Sequence, residues 1–371
     1  VRILLTGAEG FLGWHLRCRI HATTDHEVVP VARADWDRLP ALAADVDAVI
    51  HVAGVNRAGD AELVDGNVAV AQGVADALAG TTGVTVVFAN SIQVGNGSAY
   101  AAGKEQAAEV LRAAAGRRDG RFVDVLLPNL FGEHGRPGYN SFVATFVDRA
   151  ISGDRPEIAD RPIELLHAQG AAQALLDALA PDAPATVRPG AHPTSVQAVW
   201  DALERFHSTY VPSADVPAMA DDFERDLFNT YRAALFPAHY PLALTPRSDQ
   251  RGRLVETVRT HGSGGQTFVS TTVPGVTRGI HYHLHKIERF VVLDGEAVIR
   301  LRRMFHDEVV ELPVTGEQPV VVDMPTMWSH DITNVGEGVL TTLFWTDSLF
   351  DPDAPDTIHE PVVRPAPQED A

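Results

Sequence analysis

A short apolar run at residues 1–6 ends on Thr6-Gly7-Ala8-Glu9-Gly10-Phe11-Leu12-Gly13, and a helix-forming stretch follows at residues 14–21. This succession of strand, glycine-rich loop and helix constrains the fold more than any other feature of the chain. Gly7 and Gly10 allow the backbone to turn tightly and to approach a ligand closely, and Gly13 lets the helix pack against the strand it has just left. A helix starting there offers free N–H groups and the positive end of its dipole, which together favour a phosphate. The next hundred or so residues agree with such an opening. Near-continuous apolar runs at residues 27–32, 46–53, 84–90 and 122–128 alternate with helical stretches at 65–78 and 99–115. Strands apolar on both faces, alternating with helices, belong to a parallel sheet covered on both sides.

The pattern changes further along. Residues 180–194 are rich in Ala, Pro and Thr and read as a loop or linker, and helical stretches follow at 195–208 and 220–235. From Gly252 onward come only short, closely spaced strands, at 266–273, 288–293, 297–302, 308–313, 319–324 and 339–345. Asp294-Gly295, between the second and third of these, is a hairpin signal. A chain of 371 residues is long for one core, so two domains are expected. The first, residues 1–244, is read as an α/β, Rossmann-like, doubly wound parallel sheet with a helical substrate or connector part over about 185–240. The second, residues 245–371, is read as an all-β barrel or jelly roll, with a polar, Pro-rich tail at 363–371 expected to fray.

Bulk properties remove several classes of function. A formal charge of −19 disfavours a protein that works by neutralising nucleic-acid phosphates. No uninterrupted apolar run approaches a membrane span, and the sequence opens on a strand rather than a signal peptide, so a cytoplasmic location is expected. The single cysteine, Cys18, excludes an intrachain disulfide and a cysteine-based zinc framework, and it reads as a core residue.

Three groups in the first half point to hydride chemistry. Arg33 follows the second strand, where an acidic residue would bind a ribose 2′-hydroxyl; an Arg accommodates a 2′-phosphate, so the reading leans to NADP(H), against the nearby Asp35 and Asp37. Tyr100 and Lys104 are four residues apart at the start of a helix and share a face. A Tyr whose pKa is lowered by a neighbouring ammonium can donate a proton to a ketone oxygen, and Ser91, ending the preceding strand, can hydrogen-bond the same oxygen. With Thr6-Gly7-x-x-Gly10-Phe11-x-Gly13 and the run from Asp47 to Gly54, these residues resemble the extended short-chain dehydrogenase/reductases of the epimerase/dehydratase type. The resemblance implies cofactor contacts from Thr6, Gly7, Gly10, Phe11, Leu12, Gly13, Arg33, Ala53, Tyr100 and Lys104. Pro128-Asn129-Leu130-Phe131-Gly132 resembles that family's nucleotide-sugar segment, which implies substrate contacts from Asn129, Arg136 and Asn140. Two departures stand out: Gly103 occupies the place of a usual Ser before the Lys, and His167-Ala168-Gln169-Gly170 carries no acidic pair.

In the second half, Gly275, His281, His283, Glu288 and Gly295 fit G-x5-H-x-H-x4-E-x6-G, the first motif of the cupins. Pro325 to His330 and Asn334 resemble the second motif, with Met327 in place of its Gly. His281 and His283 alternate along a strand and so share a face. Three imidazoles (with His330) and one carboxylate suit Zn²⁺, Ni²⁺, Mn²⁺ or Fe²⁺. The whole chain resembles the CapF family of bifunctional capsular-polysaccharide enzymes, through Arg136-Pro137-Gly138-Tyr139-Asn140-Ser141, Asn229-Thr230-Tyr231 and the segment from Phe350 to Thr357. That resemblance implies a zinc-bearing cupin that epimerises C3 of a UDP-linked 4-keto-6-deoxy-2-acetamido sugar, a reductase that then reduces C4 with NADPH, and a homodimer. Lys286 and His285 are candidates for moving the C3 proton. Two other readings stay open: a cupin with unrelated oxygenase or isomerase chemistry, and a cupin that only binds or dimerises beside a working reductase.

Overall fold

Ile3, Leu4 and Leu5 are all 0% exposed, because the first strand lies inside a sheet covered on both faces. The computed structural model describes residues 1–364 apart from Arg251 and Ser263, so most of the tail expected to fray lies outside the described residues. The chain forms two units, Val1–Thr145 with Ile158–Gln197, and Phe146–Glu157 with Ala198–Ala371.

In the first unit the order is β1 (Arg2–Thr6), α1 (Phe11–Thr23), β2 (Glu27–Val31), α2 (Leu39–Leu42), β3 (Ala48–His51), α3 (Asp60–Ala77), β4 (Thr85–Ser91), α4 (Ala99–Gly116), β5 (Arg121–Leu127) and β6 (Asn129–Phe131). Then come α5 (Phe142–Ser152), which runs on into the second unit, β7 (Pro162–His167), α6 (Ala168–Asp177), β8 (Thr186–Val187) and β9 (His192–Ser195). Six strands pair in parallel in the order β2-β1-β3-β4-β5-β8. Alternate residues separate two cores. Leu4, Val49, Val86 and Phe88 pack with Ala71 and Val74 of α3 and Ala107 and Leu111 of α4. Ile3, Leu5, Ile50, Val87 and Val125 pack with Leu12, Leu16 and Ile20 of α1 and Leu175 of α6. Cys18 is buried, as expected. The stretch read as a linker holds β8, the sixth strand of this sheet; two residues are too few to show a period. The small mixed sheet β6-β7-β9 and helix α6 are not apparent from the sequence pattern, the sheet because its strands are short.

Beyond its share of α5, the second unit resumes within α7 (Val196–Ser213) and continues with α8 (Asp222–Leu235), both read from the sequence as part of a first-domain connector. Asp221 caps α8, its carboxylate accepting the Glu224 N–H at 2.9 Å. The β-part comprises β10 (Leu242–Ala243), β11 (Arg247–Asp249), β12 (Gly252–Leu254), β13 (Gln266–Thr272), β14 (Thr277–Tyr282), β15 (Glu288–Asp294) and β16 (Glu296–Arg303). It continues with β17 (Val309–Thr315), β18 (Val320–Met324), β19 (Trp328–Asn334), β20 (Leu340–Thr346) and β21 (Ile358–His359). Two five-stranded antiparallel sheets form, β10-β18-β15-β20-β13 and β17-β16-β19-β14-β21, which is the jelly-roll arrangement of a cupin. The hairpin expected at Asp294-Gly295 is not made. β15 pairs with β18 and β20, whereas β16 pairs with β17 and β19, so the chain changes sheets at this turn. A register shift between Val292 and Asp294 bends β15 into the corner, and Gly295 turns it at φ +89°.

Candidate functional site

A cleft of 1180 Å³ in the first unit is lined by residues from the carboxyl ends of β1 to β5 and by the loop after β6. Crevices at that end of a parallel sheet are where ligands bind. Gly10 precedes the first turn of α1 and its carbonyl accepts the Trp14 N–H at 2.8 Å. A Cβ at Gly13 would lie 2.0 Å from the Gly7 carbonyl oxygen, so only glycine lets α1 meet the loop. The cradle and the helix N-terminus behind it fit a pyrophosphate. Of the residues read as cofactor contacts, Gly7, Gly10, Phe11, Leu12, Arg33, Ala53, Tyr100 and Lys104 line the cleft. Thr6 and Gly13 lie behind it: the Thr6 hydroxyl accepts the Ala53 N–H at 3.3 Å and pairs with Nδ1 of the buried His51 at 2.7 Å. Asn129, Arg136 and Asn140 also line the cleft. Arg33 is exposed there and has no ion-pair partner among the described residues. Asp35 is turned to its own backbone and to Arg38, accepting the Ala32 N–H at 3.3 Å and pairing with the guanidinium at 3.2 Å.

Ser91, Tyr100 and Lys104 meet in this cleft. Ser98 caps α4 by accepting the Ala101 N–H at 3.2 Å, which fixes the turn that carries Tyr100. Lys104 is 4% exposed and donates to the Ala89 carbonyl at 2.8 Å. Burial lowers its pKa to about 8, with Asp124 acting in the other direction. The lowered Tyr100 pKa expected from the sequence is not found. Burial raises it, and the hydrogen bond with Ser91 only partly offsets this. The ammonium expected to depress it is engaged on the Ala89 carbonyl. The buried pair behind Ser91 was not foreseen: Asn90 donates to Asp124 at 2.8 Å, while its own side-chain oxygen accepts the Ser91 N–H at 2.9 Å. No local signal in the sequence links residues 34 positions apart. Gly103, the unusual residue before Lys104, has a steric reason: a Cβ there would lie 2.6 Å from the Leu63 carbonyl oxygen, where α3 crosses α4.

In the second unit His281, His283, Glu288 and His330 offer ligand atoms that all lie within 4.8 Å of one another. The Nε2 atoms of His281, His283 and His330 stand 3.4, 3.1 and 3.1 Å from one oxygen, Glu288 Oε2. A bulge at Gly279–His281, with Ile280 at φ +66°, places His281 directly across from His330. Neither β14 nor β19 was recognised as a strand from its apolar pattern; the motifs alone marked them. Met327, which replaces the motif glycine, sits at φ +60°, a conformation that favours glycine. Nδ1 of His330 donates to the Trp328 carbonyl at 3.0 Å, and Nδ1 of His283 donates to the Asp356 carbonyl. With those protons on Nδ1, an otherwise unprotonated ring turns an Nε2 lone pair towards the carboxylate, an arrangement that a cation resolves, whether a proton on Nε2 or a metal ion. Burial lowers the His330 pKa to about 4. Burial also acts to lower His283, but the Glu288 hydrogen bond and charge outweigh it and raise the pKa. Burial opposes the Glu288 charge, yet hydrogen bonds from the three imidazoles hold its pKa well below the usual range. The donor set fits a divalent transition metal. Lys286 lies between His283 and Glu288 in the sequence. Its ammonium donates to the Pro355 carbonyl and to Thr357 Oγ1.

Among the described residues no helix is long and apolar enough to cross a membrane. Residues 3–185 match the NAD dependent epimerase/dehydratase family, and residues 247–358 match the polysaccharide biosynthesis C-terminal domain. The chain is 31% identical over 366 residues to UDP-2-acetamido-2,6-beta-L-arabino-hexul-4-ose reductase of Pseudomonas aeruginosa, covering 96% of this chain and 98% of that protein. It is also 31% identical to the capsular polysaccharide assembling protein CapF from Staphylococcus aureus, whose crystal structure superposes with a TM-score of 0.62 over 97% of this chain and 100% of that one. A shorter likeness, 29% identity over 122 residues, links 30% of the chain to 81% of the spore coat polysaccharide biosynthesis protein SpsL of Bacillus subtilis. With an epimerase/dehydratase-type half, a polysaccharide-biosynthesis half and similarity that runs almost end to end, the chain belongs to the CapF family.

Proposed function

We propose that the chain is a bifunctional enzyme on a UDP-linked 4-keto-6-deoxy-2-acetamido sugar, in which the second unit epimerises C3 and the first reduces the C4 ketone with NADPH. The observation that carries this reading is that one chain holds two sites of different chemistry, the Ser91–Tyr100–Lys104 cleft and the His281–His283–Glu288–His330 cluster. The likeness to a UDP-sugar 4-ulose reductase over almost the full length supports it. The glycine loop and the α1 N-terminus would hold the pyrophosphate of the cofactor, and Arg33 its 2′-phosphate. When bound, NADPH supplies the hydride that C4 accepts. Tyr100 gives the proton to O4, Ser91 hydrogen-bonds that oxygen, and Arg136 offers a cation to the UDP diphosphate. Lys104 keeps a positive charge near Tyr100.

Order follows from the carbonyl. The C3 hydrogen is acidic only while C4 is a ketone, so a base must remove it and the opposite face must be reprotonated before C4 is reduced. A cation at the cluster would supply Lewis acidity next to the enolate oxygen, and zinc is the expectation. A second reading has one observation in its favour: His283 and His330 are 2% and 0% exposed, as in a closed structural metal site, and only His281 reaches 18%. The test is incubation with UDP-linked 4-keto-6-deoxy sugars and NADPH, with products assigned by NMR. A C3-inverted, C4-reduced sugar is expected. Reduction with C3 untouched would leave the second reading, and no consumption of NADPH would remove both.

A further inference from the structure

We infer that Asp356 is a positioning residue for the ligand set of the second unit, holding in register both His283 and the loop that leads from it to Glu288. The inference rests on reading the four-donor cluster as a metal site. Between these two ligands the chain runs through Leu284, His285, Lys286 and Ile287, outside any strand. Backbone N–H groups in such a loop need partners. Here every one of the four ends on a carboxylate. Asp356 Oδ1 accepts from Leu284 at 2.8 Å, and Asp356 Oδ2 accepts from His285 at 2.9 Å and from Lys286 at 2.8 Å. Asp347 takes the fourth, from Ile287, at 2.9 Å.

Three successive N–H groups turned to one side form a concavity for an anion, and Asp356 supplies that anion from 70 residues downstream. Such bonds to an ionised acceptor are stronger than neutral ones. The same residue acts on the ligand itself, because its main-chain carbonyl takes the Nδ1 proton of His283 and so leaves Nε2 facing Glu288. One residue therefore sets the tautomer at one end of the loop and the path of the chain to the next ligand. Asp356 is itself held at φ +40°, with the Lys286 ammonium tied to Pro355 and Thr357 on either side of it. On the loop's other side Asn229 donates to the His285 carbonyl at 2.7 Å. Protein groups thus hold this loop from both sides.

The test uses the full chain and two substitutions. Asp356→Gly tolerates the positive φ, keeps the main-chain carbonyl and removes all three carboxylate contacts. Asp356→Asn keeps the shape but turns an N–H₂ towards one of the loop N–H groups. Zn²⁺ affinity is measured by competition with a chromophoric chelator, and Co²⁺ is used as a second probe through its visible absorption. Circular dichroism and NADPH binding report on the fold and on the first unit. The expected result is a fall in Zn²⁺ affinity of about 10- to 100-fold for the glycine variant and a smaller fall for the asparagine variant, with an altered Co²⁺ spectrum and unchanged NADPH binding. If the glycine variant does not fold, the asparagine variant decides. Wild-type Zn²⁺ affinity and Co²⁺ spectrum in the folded variants would overturn the role given to Asp356 while leaving the metal site intact. Failure of the unsubstituted protein to bind either ion would overturn the metal reading and this inference with it.

Discussion

The cleft of the first unit and the histidine cluster of the second differ in how their polar groups are satisfied. In the cleft, Arg33 is exposed with no ion-pair partner among the described residues, and the Lys104 ammonium donates to the Ala89 carbonyl and lies over the Phe88 ring. Tyr100 is pushed towards its neutral form by burial rather than ionised by its neighbour. These groups are poised for a large polyanionic ligand that would bring its own charges. In the cluster the polar groups already face one another, three Nε2 atoms on a single oxygen, and His283 and His330 are fixed from behind by backbone carbonyls. A substitution in the cleft should therefore change chemistry and leave the unit folded. A substitution in the cluster should lose the cation first and the chemistry through it.

The largest effect is expected at Tyr100. Tyr100→Phe removes the proton donor while keeping the ring, and NADPH oxidation with the 4-keto sugar should fall by about 10²-fold or more. NADPH affinity should hold, since the phosphate cradle is built from the glycine loop. If the two sites are separate, C3 of the sugar should still exchange with solvent in this variant. Near-normal turnover would remove the donor role, and loss of exchange would mean that one pocket performs both steps.

The converse variant replaces His281 and His330 together by Ala. Bound metal should disappear on elemental analysis, because two of four donors are gone. In D₂O without NADPH, deuterium entry at C3, followed by NMR, should slow by roughly 10-fold or more whether the cation polarises the carbonyl or only shapes the barrel. Reduction of C4 should continue and give the uninverted C3 configuration. Undiminished exchange in this variant would separate the cluster from epimerisation altogether.

The contrast between the sites also explains which parts could be read from the sequence. The glycine loop, Ser91 and the Tyr100–Lys104 pair were legible because each depends on a few adjacent residues, and helical spacing alone puts the last two on one face. The cluster was legible through motif spacing even though neither strand bearing its histidines stood out. Long-range satisfaction was not legible. Asn90 and Asp124 set the position of Ser91, and Asp356 sets the loop before Glu288, yet nothing local marks either. Asp294-Gly295 carried a sound turn signal but not the information that the next strand joins the other sheet, which depends on what β20 and β19 pair with. The direction of the Tyr100 shift was misjudged for a similar reason: proximity to an ammonium was readable, and burial was not.

A smaller effect is expected from pH. The Lys104 pKa is lowered by burial from 10.5 to about 8, so its charge is lost in the folded protein well before an exposed lysine would lose it. If that charge assists Tyr100, kcat/KM for reduction should decline as pH rises through about 8 and approach tenfold per unit above it. Stability runs the other way. Between about 8 and 10.5 the unfolded chain binds the proton that the folded one has released, so this group's contribution to stability increases with pH in that window. A decline in rate accompanied by a parallel loss of folded protein would assign the limb to unfolding instead of Lys104.

The smallest effect concerns Arg33. A surface guanidinium at the mouth of the cleft meets a 2′-phosphate in partly solvated surroundings, where a single ion pair contributes about 1 kcal/mol or less. Arg33→Ala should therefore lower the ratio of kcat/KM for NADPH over NADH by roughly fivefold, with the NADH value itself unchanged. The comparison must be made at fixed ionic strength, because added salt should shrink the difference in the unsubstituted protein as well. Asp35 provides the control. Its carboxylate is engaged with the Ala32 N–H and with Arg38, so Asp35→Asn should leave the ratio nearly where it was. An equal ratio for the two cofactors in the unsubstituted protein would show that neither side chain reads the 2′ position. A drop in both cofactors for Arg33→Ala would mean that the guanidinium contacts something they share. Only a selective loss for NADPH, attenuated by salt, matches an exposed charge waiting for its partner.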